Sequence, residues 1–374
     1  MSKRIIFCSD GTWETPDKRT NVYKLFNSLI TDATQIPFYA SGVGTNVGPV
    51  GDVVGGAFGV GLQVKIKEGY ASIAHVYEAG DKIYLFGFSR GAYTARSLAG
   101  MIAATGLPTK NFSNDMVNKA FLAYRASLPD ARQQLLKDLE NCDMDTSPDI
   151  EMVGVWDTVG SLGIPAVVGG TDPVADGFLD LTLNPRIKHG YHALAINERR
   201  AQFQATLWNE GAGEGQTLEQ VWFTGCHGDV GGGEGDESTA LSDVTLAWML
   251  DKAAACGLQF DPNKVKQYTC PMNAEYALDQ IHESWKIFCG FPIWRPIRHD
   301  SLISNSVAIR CQDDSNYRPH NLTFENGTLA STYSLSTICT LPAAIAASAA
   351  AAATPVSNGG SGAGAQVAAG VSGS

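Results

Sequence analysis

Basic residues are scarce in this chain: 27 Lys and Arg stand against 38 Asp and Glu over 374 residues, a formal charge of −11. Binding a phosphate backbone needs a basic face that displaces counterions, so nucleic acid is not an expected partner. The same deficit offers an anionic bilayer nothing polybasic to hold, and any transient membrane contact must rest on apolar surface. Cysteine is sparse as well, with eight residues and no C-x-x-C pair. That spacing supplies neither a zinc framework nor a disulfide-stapled domain, so no metal and no cofactor are expected and the compartment of synthesis is a reducing one. Long apolar runs are missing too. Only Ile5-Ile6-Phe7-Cys8 separates Met1-Ser2-Lys3-Arg4 from Ser9-Asp10-Gly11, residues 47–62 are broken by glycines and Pro49, and residues 341–353 are mostly alanine. None has the make-up of a signal-peptide core or a membrane span, which predicts cytoplasmic synthesis without a Sec leader and leaves any export to a signal-independent route.

Hydrophobic residues make up 44% of the chain, enough to build a sizeable core. Ile5-Ile6-Phe7-Cys8 reads as a buried strand stopped by Asp10-Gly11, and Val22, Leu25, Phe26, Leu29 and Ile30 mark one face of a helix behind Thr20-Asn21. Strands are further predicted over residues 36–40, 82–86, 152–156 and 221–224, and helices over 62–77, 92–102 and 241–255. Strands alternating with helices predict an α/β fold, a mostly parallel central sheet with helices on both faces. Residues 1–341 form one predicted domain. Residues 342–374 are Ala, Gly, Ser and Thr with almost no large side chain, a composition that cannot bury enough surface to fold alone.

Gly87-Phe88-Ser89-Arg90-Gly91 lies between a predicted strand and a predicted helix, the strand–turn–helix setting of a G-x-S-x-G nucleophile elbow. Gly87 and Gly91 allow strand and helix to approach, and the helix N-terminus behind Ser89 favours an oxyanion. A serine hydroxyl needs a base, and the base needs an acid to fix its tautomer. Asp157 follows the strand ending at Trp156, and His227 follows the strand ending at Thr224, with Gly228-Asp229-Val230-Gly231-Gly232-Gly233 behind it. The chain order Ser, acid, His is that of the α/β-hydrolase fold. His189, His192, His282 and His299 lack a strand-end setting, whereas Asp229 rivals Asp157 as the acid, its other role being to order the histidine loop. The oxyanion hole is expected from the backbone N–H of Arg90 and that of Gly11 or Thr12, with Asp10 shaping the turn. Residues 47–62 and 160–170 are apolar, glycine-rich candidates for lids or acyl-chain surfaces.

Two other chemistries fail on the residues. Cys8-Ser9-Asp10-Gly11-Thr12 approaches the D-x-D-G-T loop of aspartate-nucleophile phosphatases, but Cys8 occupies the nucleophile position and removes a magnesium ligand with it. His227-Gly228-Asp229 has no recognised metal spacing around it.

In combination, Phe7-Cys8-Ser9-Asp10-Gly11-Thr12 with Thr20-Asn21-Val22, Tyr39-Ala40-Ser41-Gly42-Val43-Gly44-Thr45, Gly87-Phe88-Ser89-Arg90-Gly91-Ala92 and Val155-Trp156-Asp157-Thr158-Val159 form a recognisable set. Trp222-Phe223-Thr224-Gly225-Cys226-His227-Gly228-Asp229-Val230-Gly231-Gly232-Gly233, Leu241-Ser242-Asp243 and Tyr317-Arg318-Pro319 complete it. The sequence resembles the α/β-hydrolase family typified by the catalytic domain of type VI secretion phospholipase effectors. The resemblance implies a Ser89, Asp157 and His227 triad, phospholipase A-type cleavage of a lipid acyl ester, and a secretion-apparatus or immunity partner. Ile196-Asn197-Glu198-Arg199 departs from the Asp-Glu-Arg expected there, a change in a contact behind the site. Against the esterase reading stand a non-lipid carboxylesterase and a catalytically silent binding or cargo protein that keeps the hydrolase shell.

Overall fold

The structure is a computed structural model that describes residues 2–338 except 13, 43–55, 141–142, 161–180, 210, 235–239 and 269–273. Most of the two candidate lids, 47–55 and 161–170, and the tail 342–374 lie outside the described residues, while 56–62 open a long helix.

Alternation along the first strand sets the architecture. Ile5 and Phe7 pack into one apolar cluster, and Ile6 and Cys8 into another on the opposite face. A strand apolar on both sides must lie inside a sheet covered on both faces. That strand, β1 (Arg4–Ser9), joins β2 (Gln35–Ala40), β3 (Lys82–Phe88), β4 (Asp149–Trp156), β5 (Ile187–Ala195), β6 (Thr217–Phe223), β7 (Leu302–Ser304) and β8 (Ser334–Ser336) in one sheet. The order is β2-β1-β3-β4-β5-β6-β7-β8, and each neighbouring pair runs parallel. The parallel α/β architecture expected from the sequence is therefore the one observed.

On one face lie α1 (Asn21–Ser28), whose Thr20 cap accepts the Tyr23 N–H, and the helix Ala240–Ala255, packed through Val22, Leu25, Trp248 and Leu250. On the other lie α2 (Gly56–Val76) and α3 (Arg90–Thr105), packed through Ile66, Tyr70, Leu98 and Ile102. Each fully buried aliphatic or aromatic side chain stabilises the fold by about 1.5–3 kcal/mol, which holds both layers on the sheet. A third cluster, built on Trp222, Ile303, Val307 and Tyr317, closes the β7 and β8 end.

Strand order reverses at β1: the chain first steps outward to β2, then returns to place β3 on the other side. Loops leaving β1 and β3 therefore diverge at the carboxyl edge and open a crevice, the usual place for a ligand in such a sheet. The loops carrying Asp10 and Ser89 flank it.

Candidate active site

Ser89 sits at the sharp turn from β3 into α3 with φ 58° and ψ −121°, a backbone conformation that a non-glycine residue adopts only when its surroundings impose it. Its N–H donates to the Trp156 carbonyl at 3.0 Å. The flanking glycines are needed for close approach. A Cβ on Gly87 would lie 2.3 Å from the Gly91 carbonyl oxygen, and one on Gly91 would lie 2.1 Å from that of Ser9.

Asp157 leaves β4 and is fully buried, also with a positive φ of 41°. Its Oδ2 accepts from His227 Nδ1 at 2.6 Å, and its Oδ1 accepts the Ala195 N–H at 2.9 Å. A cation absent from the sequence reading completes this shell. Arg295, 1% exposed, donates from Nη1 to Oδ1 at 2.6 Å and from Nη2 to Oδ2 at 2.9 Å, and also to the carbonyls of Ala195 and Phe203. Burial alone would raise the carboxyl, but Arg295 and the His227 hydrogen bond hold it well below the usual carboxylate range.

His227 opens a short helix, His227–Gly231, whose Cys226 N-cap amide donates to Asp229 Oδ2 at 2.8 Å. The imidazole lies between Phe88 and Phe203, with ring centroids 4.6 and 4.9 Å away. The His227 N–H donates to Oε2 of buried Glu198 at 3.2 Å, and Glu198 also accepts from Ser284 and from the Arg200 guanidinium, which pulls its carboxyl below its ordinary range against the effect of burial. Asp229 bonds other partners than the His227 ring: it accepts from His282 Nδ1 at 2.5 Å as well as from the Cys226 amide, ties within the histidine loop and to its neighbour. His192 is set in β5, where its Nε2 accepts the Thr158 N–H at 3.0 Å and burial pushes its pKa down to about 3, which keeps it neutral. Asn197, where Asp was expected, accepts from the Gly225 N–H and the Tyr317 hydroxyl, joining two of the motif stretches behind His227.

A cavity of about 330 Å³ opens at the crevice, lined by Ser89, His227, Arg90, Gly11, Thr12, Glu14, Arg200, Phe203 and Glu234 among others. Of the two amides expected to face an oxyanion from the β1 loop, that of Gly11 is engaged elsewhere: its N–H donates to Asp10 Oδ1 at 2.8 Å. Nothing among the described residues hydrogen-bonds the buried Thr12 hydroxyl. Asp10 also accepts from the Thr20 and Tyr39 hydroxyls at 2.6 and 2.7 Å, while burial raises its pKa to about 6. Burial and the nearby Asp10 charge raise Glu14 to about 7, and burial lowers Arg90 to about 10. Cys8, the residue that blocked the phosphatase reading, is fully buried and burial pushes its thiol up. Among the described residues, no group of three or more His, Cys, Asp or Glu could hold a metal ion.

Fold and site together define an α/β protein whose loops gather a serine, a histidine and a carboxylate at the carboxyl edge of a parallel sheet. The chain belongs to the family described as T6SS, Phospholipase effector Tle1-like, catalytic domain, which matches residues 3–252. That span contains Ser89, Asp157 and His227 and stops short of Arg295. A relative from Saccharomyces cerevisiae (strain ATCC 204508 / S288c), Uncharacterized protein YEL023C, is 32% identical over 228 residues, covering 54% of this chain and 32% of that protein. The chain thus spans about a third of that relative's length. A crystal structure of an uncharacterized protein from Pseudomonas aeruginosa aligns with a TM-score of 0.42 at 19% identity, over 71% of this chain and 47% of the other. Among the described residues no helix is long and apolar enough to cross a membrane.

Proposed function

We propose that this protein is a serine esterase of the phospholipase A type. The observation that carries the reading is the 2.6 Å hydrogen bond from His227 Nδ1 to a buried, cation-held Asp157, beside a cavity that Ser89 also lines. His227 Nε2 takes the Ser89 proton as Oγ attacks the acyl carbon, and Asp157 fixes the tautomer that leaves Nε2 free to accept it. The N–H groups of Arg90 and Thr12, with the Thr12 hydroxyl beside them, stabilise the oxyanion. His227 returns the proton to the departing alcohol, and water then enters by the same route to release the fatty acid and restore Ser89. Arg295 acts through Asp157, as a positioning residue.

Membership of the phospholipase effector family supports a glycerophospholipid as the ester, a type VI apparatus as the export route, and an immunity protein as a partner. The test is the intact mass of folded protein after exposure to a fluorophosphonate, followed by fatty-acid release from phospholipid dispersions. One adduct on Ser89, lost in Ser89→Ala and His227→Ala, with release abolished in both, is the expected result. An unmodified, folded wild-type protein that releases nothing would overturn it in favour of a silent binding protein.

A further inference from the structure

Large apolar side chains in water are usually scattered singly. Among the described residues the two most exposed large hydrophobic side chains are four positions apart, Ile287 at 87% and Phe291 at 91%, with Ile293 at 47% just beyond. They belong to a turn, Ile287–Cys289 followed by Gly290 at φ 81°, in which the Cys289 N–H donates to the Lys286 carbonyl at 2.8 Å and Trp285 Nε1 donates to the Gly290 carbonyl at 3.0 Å. The Cys289 N–H and the Lys286 and Gly290 carbonyls are thus paired within the loop, which lowers the cost of bringing the tip into an apolar medium.

Both feet of the loop are tied to residues directly behind the lining of the cavity, where Glu198 bonds Arg200 and His227 and Asp157 bonds His227. Ser284 donates to Glu198 Oε2 at 3.0 Å, the Ile293 N–H donates to the Arg199 carbonyl at 2.9 Å, and Arg295 holds Asp157. Trp285 and Trp294 flank the tip with the Arg199 guanidinium 5.9 and 5.3 Å from their ring centroids. Indoles between an apolar tip and a charged base suit the boundary between acyl chains and water. Lys286 is the only charged residue between Trp285 and Trp294, so attraction to anionic headgroups contributes little.

We propose that residues 285–294 form an interfacial docking loop, whose Ile287 and Phe291 enter the surface of an aggregated lipid and seat the catalytic cavity on it. The partner is a lipid surface rather than a second copy of the chain, because the exposed apolar side chains are flanked by two indoles, whose rings suit the boundary between acyl chains and water. The proposal rests on the esterase reading, and its test runs in a Ser89→Ala background where no lipid is consumed. Flotation with phosphatidylcholine vesicles, with and without phosphatidylglycerol, compares this protein with its Ile287→Asp/Phe291→Asp derivative. We expect binding that persists in high salt and falls by about 100-fold in the derivative. In the Ser89 background the same pair of changes should leave turnover of a soluble short-chain ester unchanged. Side chains this exposed tolerate substitution, and Ile287→Ser/Phe291→Ser gives a milder version should the charged pair perturb folding. Equal flotation of parent and derivative would overturn the proposal, as would a parent that does not float or a dimer that dissociates in the derivative while vesicle binding is unaffected. Loop-dependent flotation by a protein inert towards every ester would instead support the docking loop and overturn the esterase.

Discussion

Replacing Arg295 by Met keeps most of the side-chain volume and removes the cation. Arg295 is 1% exposed and Asp157 fully buried, so the carboxylate loses its counter-charge in a dry site and, among the described residues, keeps the Ala195 N–H and His227 as donors. Breaking one side of a buried pair costs about 3–5 kcal/mol, readable as a lower denaturant midpoint at unchanged slope. A second effect belongs to catalysis alone. Arg295 Nη1 and Nη2 grip both oxygens of the carboxylate that receives His227 Nδ1, and so set the angle of the bond that orients the imidazole. A displacement of about 1 Å at such a group costs about 10²-fold in rate, so kcat on a soluble ester should fall by about 10²-fold in Arg295→Met with KM little altered. Arg295→Lys keeps the charge and loses the two-pronged grip, so it should restore much of the stability and only part of kcat. A folded Arg295→Met protein with wild-type kcat refutes the reasoning, because a merely structural role predicts no loss of turnover in the folded protein.

Asp157→Asn should lower kcat by about 10⁴-fold and Asp229→Asn far less; the reverse ranking in steady-state assays hands the acid role to Asp229. Thr12→Val removes from the cavity a hydroxyl that no described residue hydrogen-bonds and should lower kcat by about 10²-fold with KM little altered, whereas a change in KM alone argues for substrate contact without oxyanion stabilisation. Glu14 rises from an ordinary 4.5 to about 7 on folding, so its contribution to stability is fully present below about pH 4.5 and is lost as pH rises through about 7. Glu14→Gln should accordingly narrow the difference in Tm between pH 5 and pH 8, leaving the part due to Asp10; an unchanged difference counts against a raised, half-buried Glu14.

What could be read from the sequence was whatever has local punctuation. β1 and β3 are short apolar runs ended by Asp10-Gly11 and by the elbow, and Ser89, Asp157 and His227 each follow a strand, so chain order and strand ends sufficed to select them. β5 escaped because Lys188, His189 and His192 interrupt its apolar pattern, although Tyr191, Ala193, Leu194 and Ala195 are buried. β7 and β8 span three residues each, too few to show a period. α2 begins at Gly56 rather than near residue 62 because glycines there obscure its periodicity. Arg295 had no local signal at all. It lies on non-periodic chain before Pro296, and its partner Asp157 is 138 residues away. The engagement of the Gly11 N–H was equally hidden, since it depends on where one carboxylate oxygen of Asp10 points.

The separation of Asp157 from Arg295 bears on when the site comes into being. Chain leaves the ribosome N-terminus first, so Ser89, Asp157 and His227 emerge before the guanidinium that neutralises the acid. Closing a contact across that distance waits on the loop entropy of everything between, and on the docking of β7 and the cluster around Trp222 and Tyr317. A chain released at residue 252, where the family match ends, would hold Ser89, Asp157 and His227 yet leave Asp157 without its cation. The cation on Asp157 thus makes the proposed triad a late product of synthesis, armed by chain that lies beyond the family match.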